Sequence, residues 1–301
     1  MSTGERTHGS PIAFRRALTD RLRTLARESR WDLAQLQRQI AYDRLLERLY
    51  FVDDGWIVKG AAALLARDIG VRATIDLDVY RAKALDVAES ELREAADRDL
   101  GDWFRFGVGP SRPSSDGARG IRLPVVASVG TTAWVRFHVD LVGSEIVMTG
   151  TPDDVPPLAR VAMPDIEQHG YRAYPLVDHV ADKVAGILQR FGVLEQPSTR
   201  YRDLVDLVPM SAAAALDARE QAAALRSEAQ RRRLILPQTF DVPDRAAWEQ
   251  GYAAEVKRSL LTYATTLDEA LAIVKPFVDP LLAGRAEGTW DPGHGRWTGS
   301  G

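Results

Sequence analysis

The sequence predicts an α+β protein, with a mixed sheet flanked by helices and a C-terminal domain that is mainly helical. Short apolar runs and strict polar–apolar alternation recur between residues 56 and 142, which is typical of strands. Apolar residues at helical spacing precede this region and follow it. Pro152, Pro156 and Pro157 mark a break near residue 155, so we expect a second domain to begin there.

Composition limits the classes of protein that fit this chain. With 301 residues, 45% hydrophobic and 27% charged, it has the composition of a globular protein of one large or two modest domains. The chain has no cysteine, which excludes disulfides and thiolate metal sites and fits a reducing cytoplasm. The polar start of the chain is unlike a signal peptide, and no apolar run reaches membrane-spanning length, so we expect a cytoplasmic protein without a membrane partner.

Four segments are predicted along the chain. Residues 1–12 are a disordered N-terminus, and 13–155 hold two N-terminal helices and the sheet core. Residues 156–284 form the helical domain, and the glycine-rich stretch 285–301 is a flexible tail. A net charge of −3 means that nucleic-acid binding would need a local basic patch. The arginines of the first helix are either a solvated surface or such a patch; they are Arg15, Arg16, Arg21, Arg23, Arg27 and Arg30.

One stretch, residues 56–80, organises the core. An apolar strand is predicted at 56–58, and Gly60 allows a sharp turn with close approach of a ligand. Residues 61–68 are strong helix formers, and Gly70 is placed to end that helix. Residues 74–79 then alternate polar and apolar, which predicts a half-buried strand.

That alternation places Thr74, Asp76 and Asp78 on one strand face. Two neighbouring carboxylates repel each other, and a bound Mg²⁺, which takes oxygen ligands, would remove the repulsion. The helix start after Gly60 offers backbone N–H groups to an anion. The stretch therefore predicts a metal site beside a phosphate site. A solvated strand with two exposed acids is the alternative, because short motifs also arise by chance.

A third acid is predicted on a later strand. Residues 133–141 alternate, with Arg136, His138 and Asp140 on the face opposite the apolar residues. Convergent carboxylates are the expected signature of a site, so Asp140 is a candidate third ligand or base, with an exposed strand end as the alternative. In the helical domain, Asp182-Lys183 lies on a predicted helix over 177–191, and Arg202-Asp203-Leu-Val-Asp206-Leu follows. Lysine is suited to reach a triphosphate, although a lone helical lysine is usually a surface residue.

Taken together, these motifs resemble the polymerase-beta-like nucleotidyltransferase superfamily. Lys59-Gly60, Arg72 to Asp78, Asp182-Lys183 and 202–207 resemble, in this order, the AbiEii/AbiGii-type toxins of type IV toxin–antitoxin systems, which include the MenT-like enzymes. The resemblance extends from about residue 14 to 290. Two departures are minor: the turn is Gly60-Ala61 rather than Gly-Gly or Gly-Ser, and Asp182 replaces the commoner glutamate.

The resemblance implies transfer of a nucleoside monophosphate from an NTP to an acceptor, with release of pyrophosphate. It implies an active site between the two domains, an RNA acceptor such as the tRNA 3′ end, a block of translation, and a cognate antitoxin. It makes Asp76, Asp78 and Asp140 ligands of Mg²⁺ and includes Lys183 and Asp203 in the catalytic site. The implied nucleotide contacts are Lys59, Gly60, Ala61, Thr74 and Lys183. It also makes Thr74 a candidate for inhibitory phosphorylation.

Two other functions fit the sequence. The same chemistry could modify a protein or a small molecule instead of RNA. A non-catalytic RNA-binding module with a decayed site is the other alternative, but the intact Asp76, Asp78, Lys183 and Asp203 argue against decay.

Overall fold

The structure, a computed structural model, describes residues 7–114 and 120–299. The chain divides into two compact units. The first, here the sheet unit, comprises Met1–Arg67, Ala73–Val147 and Asp153–Ala173, as far as these are described. The second, here the helical unit, comprises Asp68–Arg72, Met148–Pro152 and Tyr174–Gly301. The boundary predicted at residue 155 is therefore wrong, because residues 153–173 still contribute strands to the sheet.

The sheet unit contains a mixed sheet of eight strands among the described residues. Its elements are α1 (Pro11–Glu28), α2 (Leu33–Tyr50), β1 (Trp56–Val58), α3 (Gly60–Ala66), β2 (Asp76–Arg81), α4 (Leu85–Ala96), β3 (Phe104–Val108), β4 (Arg112–Pro113), β5 (Gly120–Val129), β6 (Thr132–Val142), β7 (Asp153–Val155) and β8 (Tyr171–Ala173). The strand order is β3-β5-β6-β2-β1-β8-β7, and β4 pairs with β5. Strand β2 runs parallel to β6, and β5 runs antiparallel to β6. The α+β class and the mixed sheet are confirmed.

The two faces of the central strands differ in polarity, as the alternation predicts. Leu77, Val79, Val139 and Leu141 are fully buried and belong to one apolar core with the inward faces of α1, α2 and α4. Burial of this face supplies most of the driving force for folding. The opposite face of β2 and β6 carries the polar residues, so the fold gathers them on one surface.

A buried ion pair fastens α2 to the start of β3. Arg48 is fully buried, and its Nη2 donates to Asp102 Oδ1 at 2.7 Å and to the Phe104 carbonyl at 3.0 Å. Arg44 Nε donates to Asp102 Oδ2 at 2.6 Å. Burial alone would raise the pKa of Asp102, but the two guanidinium groups outweigh it and hold that pKa below its usual value.

The central stretch differs from its prediction at two boundaries. Helix α3 ends at Ala66, not at 68, and Asp68, with φ 59°, adopts the left-handed conformation predicted for Gly70. Strand β2 begins at Asp76, two residues later than predicted, and continues to Arg81. Residues 68–72 belong to the helical unit, so the connection between α3 and β2 is longer than the sequence pattern indicates.

The helical unit consists mainly of helices, in agreement with the prediction. Its elements are α5 (Leu176–Leu188), β9 (Arg190–Phe191), β10 (Gln196–Pro197), α6 (Tyr201–Ala213), α7 (Ala218–Arg232), α8 (Arg245–Val256), α9 (Leu267–Leu282), β11 (Trp290–Asp291) and β12 (Arg296–Trp297). Helix α7 begins with Asp217 as its cap, which accepts from Arg219 N and Glu220 N. Thr266 and Glu269 form a capping box at the start of α9.

The predicted flexible tail is wrong for its described part. Strands β11 and β12 form a hairpin in which Trp290 and Trp297 are each 2% exposed. Trp297 stacks on Phe277 of α9 with ring centroids 5.5 Å apart, and its Nε1 donates to the Phe277 carbonyl at 3.0 Å. Two buried tryptophans give a short glycine-rich segment enough apolar area to order it.

The predicted disorder of residues 1–12 lies partly outside the described residues. Within them, the backbone N–H of Thr7 and His8 donate to Asp165, and Ser10 caps α1, which begins at Pro11. In the described part of the chain, no helix is both long and apolar enough to cross a membrane.

Candidate active site

Strand register places five polar residues on one face of the sheet, here called the carboxylate face. Asp76 pairs with His138 and Asp78 pairs with Asp140 across the parallel strands β2 and β6. Arg122 of β5 pairs with Asp140 across the antiparallel strands β5 and β6. Direct cross-strand partners point to the same face. The sheet therefore brings together Asp76, Asp78 and Asp140, as the sequence pattern predicts.

Asp76 has one carboxylate oxygen without a hydrogen bond. Its Oδ1 is buried, and in the described structure it has no hydrogen bond; His138 Nδ1 lies 3.4 Å away. Its Oδ2 lies 3.3 Å from Arg122 Nη2. A buried oxygen that lacks a donor is unfavourable unless a cation binds it.

Asp78 packs directly against the turn at Gly60. Gly60 has φ +58°, and a Cβ atom built on it would lie 1.9 Å from Asp78 Oδ2. The backbone N–H of Lys59 donates to the Asp78 carbonyl at 2.8 Å. Glycine is therefore required here both for its backbone conformation and for the space that the carboxylate occupies. The turn brings Lys59 and Gly60 to Asp78, and Ala61, the next residue, is buried in α3.

Asp140 has a cationic partner that sequence reasoning missed. Arg122 Nε donates to Asp140 Oδ1 at 2.8 Å, and Arg122 Nη2 donates to Asp140 Oδ2 at 2.6 Å. Among the described residues, no group of three acids or histidines is arranged to hold a metal ion. The strand pattern of β5 shows which face Arg122 occupies, but the sequence does not show which residue of β6 stands opposite it.

Thr74 does not share the strand face of the carboxylates, contrary to the prediction, because β2 starts after it. Its hydroxyl donates to the Asp76 carbonyl at 2.8 Å and accepts from the Asp76 backbone N–H at 3.2 Å. This is a local side-chain turn, which fixes the backbone where β2 begins. Tyr42 Oη donates to the Thr74 carbonyl at 3.3 Å and secures the same turn.

Burial keeps the Tyr42 phenol in its protonated form. Burial is the main cause that raises the pKa of Tyr42, and the negative charges of Asp76 and Asp78 raise it further. The hydroxyl is therefore a donor at neutral pH.

The helical unit gathers the remaining predicted residues in a buried ion cluster. Lys183 of α5 has a side chain only 6% exposed, and its Nζ donates to Asp206 Oδ2 at 2.7 Å and to Asp203 Oδ1 at 3.3 Å. Arg72 forms two parallel bonds to Asp206, at 2.9 and 2.8 Å. Arg200 donates to Asp203 as well.

The charges in this cluster stabilise one another. Burial would lower the pKa of Lys183, but Asp206 and Asp203 outweigh it and raise that pKa. Burial would likewise raise the pKa of Asp206, but Arg72 and Lys183 hold it well below its usual value. Both groups therefore stay charged at neutral pH. The Asp-Lys helix and the 202–207 segment, which the sequence shows only as consecutive motifs, are thus in physical contact through α5 and α6.

Asp182, next to Lys183 in sequence, faces other partners. Arg232 Nη2 donates to its Oδ1 at 2.6 Å, and Arg200 Nη2 donates to its Oδ2 at 3.3 Å. Its contacts join α5 to α7. Glutamate, the commoner residue here in the resembling family, differs by one methylene in reaching these arginines.

A glycine turn, a short helix and two acids one residue apart on the next strand of a mixed sheet are the features by which this chain resembles the polymerase-beta-like nucleotidyltransferases. The family model described as "Nucleotidyl transferase AbiEii toxin, Type IV TA system" matches residues 44–273. The chain belongs to this family of nucleotidyltransferase toxins.

One solved structure supports the same fold, and a second match is more distant. The nucleotidyltransferase toxin MenT4 from Mycobacterium tuberculosis is 17% identical, with a TM-score of 0.50 over 89% of this chain and 98% of that one. JHP933 from Helicobacter pylori is 14% identical, with a TM-score of 0.44 over 82% of this chain and 92% of that one. No curated protein matches the chain.

Proposed function

We propose that this nucleotidyltransferase toxin is Mg²⁺-dependent and transfers a nucleoside monophosphate from an NTP to an RNA acceptor, the 3′ end of tRNA, and so blocks translation. The observation that carries the proposal is the pair Asp76 and Asp78 beside the Gly60 turn. Asp76 has a buried oxygen without a donor, and Gly60 leaves room for the Asp78 carboxylate. This donor set fits a Mg²⁺ ion that one or two carboxylates and substrate phosphates share.

The residues of the carboxylate face have distinct parts in this proposal. Asp76 and Asp78 hold Mg²⁺, which when bound neutralises phosphate charge and stabilises the oxygens of the displacement. The backbone at Lys59, Gly60 and Ala61 is the proposed contact for phosphate oxygens. Gly60 lies directly against the Asp78 carboxylate, and the Lys59 N–H is already bonded to the Asp78 carbonyl, so the N–H groups of Gly60 and Ala61 are the proposed donors. Thr74 acts through the backbone of Asp76.

Lys183 and Asp203 enter the proposal through the family resemblance. Their pairing with Asp206 keeps the Lys183 ammonium charged, as a triphosphate contact requires. Since Nζ is buried beside two carboxylates, contact with a nucleotide would require Lys183 to exchange one of them for phosphate.

A row of arginines on α1 favours a polyanionic acceptor. Arg16, Arg23 and Arg27 are exposed, and their spacing places them along one side of the helix, where Arg23 Nη1 also donates to the exposed Asp20 Oδ1 at 3.0 Å. Other arginines of α1 are used inside the sheet unit: Arg15 Nη1 donates to the Ala133 carbonyl at 2.9 Å, and Arg21 Nε donates to the Ala162 carbonyl at 3.0 Å. Arginine rows of this kind contact phosphates of a nucleic-acid backbone.

The direct test is incubation with total RNA, Mg²⁺ and each α-labelled NTP in turn. We expect label in the tRNA fraction with the wild type and none with Asp76→Asn, whereas Asp97→Asn, at an exposed acid of the same unit, labels normally. Replacing Arg16, Arg23 and Arg27 by glutamine should lower labelling of RNA and leave NTP binding unchanged. Label on added protein instead of RNA would overturn the acceptor, and absence of any labelled product would overturn the transfer.

A further inference from the structure

We propose that Arg122 is a resident cation of the carboxylate face, which occupies Asp140 and limits the site to one divalent ion held by Asp76 and Asp78. The inference rests on the proposed function, because it assumes that Asp76 and Asp78 bind the metal. It assigns Arg122 as a positioning residue, and it replaces the predicted role of Asp140 as a metal ligand.

The contact between Arg122 and Asp140 is built into the sheet. The two residues are direct partners of the antiparallel strands β5 and β6. The guanidinium binds both oxygens of the carboxylate in parallel, with donor–acceptor distances of 2.8 and 2.6 Å. Such two-point pairs are among the strongest charge-assisted hydrogen bonds, and here they engage both Asp140 oxygens.

Arg122 also reaches the first metal-binding carboxylate. Its Nη2 lies 2.6 Å from Asp140 Oδ2 and 3.3 Å from Asp76 Oδ2. The guanidinium therefore bridges Asp140 and Asp76, a place between two acids where a second metal ion would bind. The other oxygen of Asp76, Oδ1, has no hydrogen-bond donor in the described structure. Asp76 can thus keep Arg122 on one oxygen and bind a metal through the other.

Charge balance gives the same result. The three carboxylates and the one guanidinium together carry two net negative charges, which one divalent ion neutralises. A second divalent ion would lie within a few ångströms of the guanidinium, and like charges at that distance repel strongly. In two-metal enzymes, the two ions sit about 3.5–4 Å apart and each is held by carboxylates. Here, the Arg122 guanidinium supplies the positive charge that a second metal ion supplies in those enzymes.

The test counts Mn²⁺ ions bound to the purified full-length chain, from the loss of the free-ion signal in electron paramagnetic resonance. Mn²⁺ alone is the probe. The variants are Asp76→Asn, Arg122→Gln and the double variant Arg122→Gln/Asp140→Asn. Arg136→Gln is the matched control, since Arg136 is an exposed arginine on the same face of β6 and loses the same charge. If Arg122→Gln unfolds below the assay temperature, Arg122→Met is tested in its place.

We expect one Mn²⁺ per chain in the wild type and in Arg136→Gln, two in Arg122→Gln, and one again in the double variant. Two close ions should also broaden the bound-Mn²⁺ signal in Arg122→Gln. The role of Arg122 would be overturned by two bound ions in the wild type or by one bound ion in Arg122→Gln. It would also be overturned if the double variant Arg122→Gln/Asp140→Asn kept two ions. Mn²⁺ binding that is absent from the wild type or unchanged in Asp76→Asn would instead overturn the metal site of the proposed function.

Discussion

At the scale of single residues, the site depends on backbone contacts as much as on its acids. Asp76 is the first residue of β2, where a strand end would otherwise be free to move. The Thr74 hydroxyl binds both the carbonyl and the N–H of Asp76, and Tyr42 holds Thr74 in turn. Instead of the predicted contact with a metal or nucleotide, the hydroxyl makes a contact that orients Asp76, the proposed metal ligand.

Thr74 variants separate this positioning role from the predicted one. Thr74→Ser keeps the hydroxyl and should retain near-normal transfer. Thr74→Val keeps the shape but removes both hydrogen bonds, so we expect turnover to fall by up to about 30-fold, since two bonds of about 1 kcal/mol each correspond to about 2 kcal/mol. Thr74→Glu should be inactive, because it loses the same two bonds and adds a charge beside Asp76. Steady-state labelling and thermal melting measure these effects, and full activity in Thr74→Val would show that the turn is dispensable.

At the scale of elements, buried ion pairs hold helices to their neighbours. The contribution of such a pair to the free energy of unfolding depends on how deeply it is buried. Asp102 receives two arginines of α2 inside the sheet unit. Asp99 and Arg105 form a pair in the same region, but their side chains are 43% and 49% exposed. The two pairs differ in solvent exposure more than in chemistry.

We expect Asp102→Asn to lower the free energy of unfolding by about 3–5 kcal/mol, because it leaves Arg48 and Arg44 buried without their counter-charge. Asp99→Asn should cost about 1 kcal/mol or less, as exposed pairs do. Urea denaturation of both variants measures the difference. Equal losses in the two variants would contradict the structural role given to Asp102.

The ion cluster between α5 and α6 makes a similar prediction for Lys183. Lys183→Ala removes one of the cations that offset Asp203 and Asp206, although Arg72 and Arg200 remain. We expect the free energy of unfolding to fall by about 3 kcal/mol. If Lys183 also contacts triphosphate, NTP affinity falls more than RNA affinity in the folded variant.

Lys257→Ala, at an exposed lysine of the same unit, is the control and should change neither quantity. An unchanged melting temperature in Lys183→Ala would contradict the cluster. Unchanged NTP affinity would remove Lys183 from the nucleotide site and leave it a structural residue.

At the scale of the whole molecule, each unit contains a buried acid whose pKa is lowered by basic partners: Asp102 in the sheet unit and Asp206 in the helical unit. A lowered folded-state pKa means that the unfolded chain binds protons first as the pH falls. This stabilisation is complete above the unfolded value of about 4 and is lost below it.

We therefore expect the stability of the chain to fall steeply between about pH 4 and pH 2. Asp206→Asn should be less stable than the wild type at pH 7 but should lose less stability over that acidic range. Urea unfolding at pH 7, 4 and 3 gives the change in the free energy of unfolding with pH for each protein. If this change were equal in Asp206→Asn and the wild type, Asp206 would titrate alike in the folded and the unfolded chain.

Sequence patterns predicted the class of fold, because alternation and short motifs are local properties. Periodicity placed Asp76 and Asp78 on one face of β2, whereas their position beside Asp140 depends on the register of β2 against β6. Arg122 could not be found in this way, since its partner depends on the register of β5 against β6. The C-terminal hairpin was missed for a similar reason: Trp290 and Trp297 are ordered by Phe277 of α9, a contact that local composition does not show.

The central claim is that Asp76 and Asp78 hold the metal that binds the nucleotide. Calorimetric titration of NTP into the chain, with and without Mg²⁺, tests it most directly in the wild type and in Asp76→Ala. We predict NTP binding that depends on Mg²⁺ in the wild type and is lost in Asp76→Ala, while the melting temperature stays close to the wild type because one of two repelling acids is removed. Mg²⁺-dependent NTP binding of equal strength in folded Asp76→Ala would contradict the claim.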